Sequence, residues 1–430
     1  MKGMDLIMKK LKEELKYGKK GITLISLVVT IIVLLILAGV TIATLTGENG
    51  ILTKASESKE KTQIASEDEL RSLTALEAAT YFEEHEYIDV SGKKIIIPAQ
   101  CAVSQIEGEN TLDEGLVIID TNGNEWVWIE VPKTIEVYPT AGLNIIDFTD
   151  DDYTKIYEDL ANYVETYKDR NNKGTLSGTD NWYDGCGLQP SEYEALKQKM
   201  LKSIYMNEGF FIGRYEVGID EENTVRYYEE DFYTEKSINE TPVIKKNRIV
   251  YNWVTVSQAQ ELSEKLAIGG KTSSLIFGIQ WNLVLKYIEN KGAYIKDETD
   301  ELINQTLIKL DSTKWGNCSN SIFNIMNIDA KYSDNNGASY ISVPSKGYKK
   351  TNSSILLTTG ATDRNAVAGI YDFAGNVDEW TLEKTTNNNV PCNARGGNYT
   401  LNGYEYPSSC YGDCQISSSL STVGFRVALY

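Results

Sequence analysis

Hydrophobic and polar residues are unevenly spread along the chain. From Ile22 to Leu45 runs an uncharged apolar stretch of about 24 residues, which at about 1.5 Å per residue spans a bilayer core of roughly 30 Å. With no polar stripe along it, this run predicts a membrane helix over 22–45. Lys9, Lys10, Lys12, Lys16, Lys19 and Lys20 precede it, which predicts a cytoplasmic N-terminus and places everything after Leu45 on the other side. Beyond the break at Glu48-Asn49-Gly50 the pattern turns to charged residues, with Ile64, Leu70, Leu73, Leu76 and Ala79 at roughly helical spacing. That predicts a solvated stalk helix within 46–85.

Further along, the apolar runs are short and β-rich. Leu116–Asp120 and Trp126–Val131 flank Asn122-Gly123, a strong short-range hairpin signal. The polar residues Asp120–Asn124 read as turn chemistry, since the later bidentate Glu of a calcium loop is missing. Gly209–Val217 reads as a strand. Helices are expected from Pro190 through Lys202, over Gln258–Leu266 behind an N-cap at Ser257, and within Ser273–Asn290 around Trp281 and Tyr287. Asp147–Met206 is polar and Tyr-rich, which suggests an insertion at about 143–206, and Asn317–Thr362 has loop composition. The mixture predicts an α+β fold with one large domain over 86–430.

Composition narrows the function. Lys+Arg 42 against Asp+Glu 61 gives a formal charge of −19, which argues against a phosphate-tracking nucleic-acid binder. The lone imidazole, His85, excludes His-rich zinc sites and HExxH peptidases. The leader is Lys-rich, so the remainder is more acidic than the total, as suits a soluble exposed domain. Six cysteines, Cys101, Cys186, Cys318, Cys392, Cys410 and Cys414, fit an oxidising compartment, and Cys410–Cys414 is the first candidate disulfide because it would brace the loop there.

Two resemblances sharpen these expectations. Lys19-Lys20-Gly21 followed by Ile22-Thr23-Leu24-Ile25 resembles the leader and processing site of type IV prepilins. It implies that 1–21 is a leader cut between Gly21 and Ile22 by a prepilin peptidase, with pilin subunits as partners. The fifth mature position, usually Glu in pilins, is Ser26, which counts against filament assembly more than against processing.

Ala368-Gly369-Ile370-Tyr371-Asp372-Phe373-Ala374-Gly375-Asn376-Val377-Asp378-Glu379-Trp380, then Arg395-Gly396-Gly397-Asn398-Tyr399, then Gly424-Phe425-Arg426-Val427 resemble the ordered motifs of the formylglycine-generating (sulfatase-modifying factor) family. That resemblance implies a C-type-lectin-like fold over most of Ile95–Tyr430. It also implies a structural Ca²⁺ held by Asp372, the carbonyls of Gly375 and Val377, and Glu379. The competing reading pairs Glu379 with Arg395 or Arg426, and Trp380 is expected in the core. The family's oxidases bind copper through two Cys after the Arg-Gly-Gly strand, and the matched positions here are Leu401 and Tyr406. Iron-dependent relatives use His, and His85 lies far from this region. No catalytic residue is therefore expected, with a divergent oxidase or a structural minor pilin as the alternatives.

The segment Asn398–Gln415 is dense in Tyr, Asn, Ser and Gly, the chemistry of adaptable binding surfaces. It also resembles the variable C-terminal region of proteins targeted by diversity-generating retroelements. Asn398, Tyr399, Asn402, Tyr404, Tyr406, Tyr411, Asp413 and Gln415 are the ligand-facing candidates. The expectation is a bacterial surface protein of adhesin or receptor type, anchored by 22–45 and directed at a protein or glycan.

Overall fold

The computed structural model describes residues 51–167, 178–229, 232–291 and 301–430. The expected membrane run 22–45, Ser26 and the cleavage pair Gly21 and Ile22 lie outside the described residues. Among the described residues, no helix is long and apolar enough to cross a membrane. The chain divides between Ser66 and Glu67 into two units, and the remaining description concerns the second.

The stalk helix runs over Ile51–Ala78. In its last turns the expected apolar stripe is reversed: Leu73 and Leu76 are exposed, while Thr74 and Ala78 are buried. Electrostatics accounts for the face chosen. Arg71 lies 3.1 Å from Glu109 and 3.3 Å from Glu125, and Arg214 reaches the same two carboxylates at 2.7 and 2.8 Å. Two cations and two anions thus alternate in a largely buried square, where an unpaired ion would be strongly destabilising.

A six-stranded antiparallel sheet organises the core, in the order Ser273–Leu275, Val427–Leu429, Gly209–Gly213, Glu125–Glu130, Val117–Asp120, Cys101–Val103. The expected hairpin is present, and its turn is held by Asp120, whose Oδ1 accepts from the backbone N–H groups of Asn122 at 2.8 Å and Asn124 at 2.9 Å. This is an Asx turn, as the amide-rich sequence implied. Helix Val256–Glu264 is capped two residues before the expected Ser257. Thr255 Oγ1 accepts from the Gln258 N–H while Gln258 reaches back to the Thr255 N–H, a capping box.

The stretch with loop composition is corrected to short strands, whereas the one read as an insertion is helical, as its Pro190 start implied. The stretch read as an insertion contributes helices Asp150–Tyr163 and Pro190–Asn207, whose Ile156, Leu160, Tyr193, Met200, Leu201 and Ile204 belong to the main hydrophobic core. The stretch read as loop contains five short strands between Phe323 and Leu357 and a small core of its own, built on Phe323, Ile325, Val343, Ile355 and Leu357.

A second sheet carries the C-terminal motifs. Its order is Tyr411–Cys414, Cys392–Arg395, Asp378–Thr385, Val423–Phe425, with Gly178–Thr179 also pairing onto Asp378–Thr385. The pair Asp378–Thr385 and Val423–Phe425 is parallel and the others are antiparallel. Trp380 is buried as expected, and its indole N–H donates to the Val254 carbonyl at 3.0 Å.

Candidate functional site

The turn between Ile370–Tyr371 and Asp378–Thr385 is closed by backbone geometry and one amide. Gly375 has φ +73°, and a Cβ there would lie 2.5 Å from the Asn317 carbonyl oxygen, so glycine is required. Asn376 follows at φ +57°. Its Oδ1 accepts from Asn317 Nδ2 at 2.9 Å and from the Leu357 N–H at 3.0 Å, and its Nδ2 donates to Glu216 at 2.7 Å. The Val377 N–H also donates to Glu216, at 3.1 Å. The carboxylate that fills this turn is therefore Glu216, which no sequence motif singled out.

Glu379 is held by Arg426 through both carboxylate oxygens, at 2.7 to 3.1 Å. Arg426 also donates to the Gly213 and Tyr371 carbonyls at 2.9 and 2.8 Å, so each of its three nitrogens is engaged. Asp372 Oδ2 accepts from the Gly360 N–H at 2.7 Å, while its buried Oδ1 has no hydrogen-bond partner. Three carboxyl groups thus share one guanidinium. Burial pushes Asp372 up to about 6, against the pull of the Gly360 N–H and Arg426. Burial also raises Glu379 despite Arg426, and raises Glu216 further with Asp372 and Glu379 beside it.

This geometry does not fit the calcium expectation drawn on Asp372, Gly375, Val377 and Glu379. Glu379 is committed to Arg426 through both of its oxygens.

Arg395 forms a second buried pair. It lies 3.0 and 3.1 Å from the two oxygens of Glu383, donates to Asn282 at 2.8 Å, and stacks 3.8 Å from the Tyr411 ring centroid. Tyr411, expected to face a ligand, is buried beneath this cation. Tyr399 is also buried, donating to Asn336 at 3.1 Å, and Asn398 is spent on Asp378 and on capping Thr400. These three residues are framework.

The other candidates reach the surface. Asn402 is half-buried and caps the Tyr404 N–H at 2.9 Å. Tyr404 is 55% exposed, Tyr406 is half-buried, and Asp413 and Gln415 are exposed. Sequence reasoning missed Glu405 and Ile416, which are exposed as well. It also missed Phe232 and Tyr233, brought alongside by the Ser419 N–H, which donates to the Phe232 carbonyl at 2.8 Å. Their separation in sequence from the Tyr-rich segment left no signal.

Five of the six cysteines, Cys101, Cys186, Cys318, Cys392 and Cys410, are buried, and Cys414 is half-buried. Cys410 and Cys414 stand four positions apart on an extended stretch, roughly 13 Å, well beyond the roughly 7 Å that a disulfide allows between Cα atoms. The strand that follows Cys410 thus carries Cys414 away from it, which disfavours the expected bridge. Burial pushes the Cys318 and Cys392 thiols up to about 12 and raises Cys101, Cys186 and Cys414 as well, so none of these is a ready thiolate ligand.

A cleft of about 900 Å³ lies elsewhere, between the turns of the stalk helix after Asp68, the hairpin turn Thr121–Gly123 and the loop Lys245–Ile249. None of the eight candidates lines it. Its cations Lys245, Lys246 and Arg248 face Asp220, Asp363 and Asp220 respectively.

Residues 192–430, more than half of the chain, match the Sulfatase-modifying factor enzyme 1-like domain. The chain belongs to that family. The mixed helices and curled sheets described above are consistent with the family's C-type-lectin-like fold. No curated protein matches the sequence. Among solved structures, Treponema denticola variable protein 1 aligns with 80% of this chain and 98% of its own, at 12% identity and a TM-score of 0.21, which is too low to carry an argument. Within the sulfatase-modifying factor domain, the two positions matched to the oxidases' copper-binding cysteines are Leu401, whose carbonyl accepts from the Ser319 N–H at 2.8 Å, and Tyr406.

Proposed function

We propose that the protein is a bacterial surface protein whose sulfatase-modifying factor domain binds a ligand and performs no oxidase chemistry. The observation that carries this reading is the division of labour within 398–416. Asn398, Tyr399, Pro407–Tyr411 and the Arg395–Glu383 pair are buried and tied to distant strands, while Asn402, Tyr404, Glu405, Tyr406, Asp413, Gln415 and Ile416 keep exposed or half-exposed side chains. A fixed frame bearing adaptable polar and aromatic tips suits recognition of a protein or glycan. The sequence of 1–45 supports display outside the cell, with the membrane run as anchor and processing after Gly21 by a prepilin peptidase. Leu401 and Tyr406 supply no copper thiolate, which weighs against the oxidase reading.

Sequencing this locus from many clones tests the reading in its variable form. Substitutions concentrated at 402, 404–406, 413, 415 and 416, with 399 and 407–411 constant, are the expected result. Changes spread evenly between the two sets would overturn it. Protease added to intact cells should degrade the domain after 67, and full protection would remove the display claim.

A further inference from the structure

Strand Tyr411–Cys414 forms the end of its sheet's hydrogen-bonded path and carries Asp413, with Gln415 and Ile416 following directly. Its register against Cys392–Arg395 places Cys392 directly opposite Cys414. Directly opposed residues of an antiparallel pair project from the same face of the sheet, with Cα atoms about 4.5 to 5.5 Å apart. That falls within the roughly 4.4–6.8 Å window in which two cysteines can be bridged.

We propose that Cys392 and Cys414 are the protein's disulfide pair, oxidised to a cross-strand bridge that fastens the edge strand of the candidate binding surface to the middle of its sheet. The reaction is thiol–disulfide exchange. One thiolate attacks a disulfide of an extracytoplasmic thiol oxidase, the second resolves the mixed disulfide, and the oxidase leaves as its dithiol, having taken two electrons while the two cysteines release two protons. In the folded protein Cys414 is half-buried and Cys392 buried.

Neighbouring groups set the timing. Burial, together with the charges of Asp378, Cys392 and Asp413, holds the Cys414 thiol up, and Cys392 stands up at about 12. Cys392 is fully buried in the closed sheet, where an oxidase cannot reach it, so the bridge forms during folding. Cys186 is the competitor, because it lies near enough to Cys392 to act on it electrostatically. It comes from a loop, though, and its Sγ faces the Leu188 carbonyl at 3.7 Å. The bridge does not depend on what, if anything, the exposed segment binds.

The test uses the full-length chain, reduced, unfolded and refolded in a glutathione redox couple, then alkylated and mapped by mass spectrometry. One cross-link is expected, joining the peptides that contain Cys392 and Cys414, and Cys186→Ser should leave it in place. The bridged form should melt higher than the reduced form, by on the order of 5 °C. A Cys186–Cys392 or Cys410–Cys414 link, or complete alkylation of all six thiols after oxidative refolding, would overturn the assignment. Reduced protein that is already folded should take up the link many-fold more slowly, and equal rates would refute the timing.

Discussion

Asp372→Asn separates a proton-neutralised carboxyl from a metal ligand. Asp372 sits at φ +55°, a left-handed conformation that Asn adopts as readily as Asp, so the backbone need not move. The amide oxygen can still accept from the Gly360 N–H. Burial raises the folded-state value from 3.8 to about 6, a difference of about 2 units, or on the order of 3 kcal/mol at about 1.4 kcal/mol per unit. The sign follows from linkage. The folded protein holds this proton more tightly than the unfolded chain, so its stabilising contribution is complete below about pH 4 and is lost as pH rises through about 6. Asn mimics the protonated form at every pH. Urea melts at pH 4 and pH 8 should therefore show nearly equal stability at the low pH, and at the high pH a variant more stable by about 1–3 kcal/mol. A variant less stable than the parent at pH 8, together with a parent melting temperature that falls on chelation, would refute the reasoning and restore calcium.

Removing Arg71 as Arg71→Ala leaves Glu109 and Glu125 sharing Arg214 alone, and should cost about 1–3 kcal/mol with faster hydrogen exchange over 67–78. Asn376→Ala deletes the amide that joins Glu216, Asn317 and Leu357 and leaves alanine at φ +57°, a left-handed conformation that Asn tolerates better. A loss of roughly 3 kcal/mol in urea melts is expected, and a loss below about 1 kcal/mol would show that the turn is held otherwise. Gly278→Ala would set a Cβ 2.1 Å from a Glu383 oxygen, disturbing the Arg395 pair, and soluble yield should fall sharply. Glu109 titrates in the opposite sense to Asp372. Burial alone would raise it, but Arg214 and Arg71 hold it below the usual range, so its contribution is present at neutral pH and is lost as pH falls through the acid range. Glu109→Gln should accordingly flatten the acid limb of the stability profile.

The sequence revealed features whose causes are local. Asp120–Asn124 announced its turn because the Asx hydrogen bonds span four residues. Glu379 with Arg426 was one of two pairings the motifs left open: Glu379 stands opposite Arg395 in its sheet, but Arg395 is taken by Glu383, and Arg426, just after Val423–Phe425, binds Glu379 instead. Features decided by distant partners stayed hidden. The buried face of the stalk helix depends on Glu109 and Glu125, far along the chain, so a hydrophobic pattern could not select it. The strands between Phe323 and Leu357 are two or three residues long, too short to show a period. Within 398–416 composition assigned no faces, so Tyr399 and Tyr411 looked like Tyr404 although they point into the protein. The match of Cys392 to Cys414 exists only once strand order and register are known.

The strand Val427–Leu429 lies between Gly209–Gly213 and Ser273–Leu275 in the main sheet, and it follows the exposed segment in the chain. Any frameshift or stop introduced within 398–416 would therefore delete an inner strand of the principal core, together with Arg426, the guanidinium that pairs with Glu379. Such a chain could not fold and would be left to proteolysis. The architecture acts as a proofreader of the segment it displays: residue exchanges at the tips pass, whereas changes in reading frame destroy their own carrier.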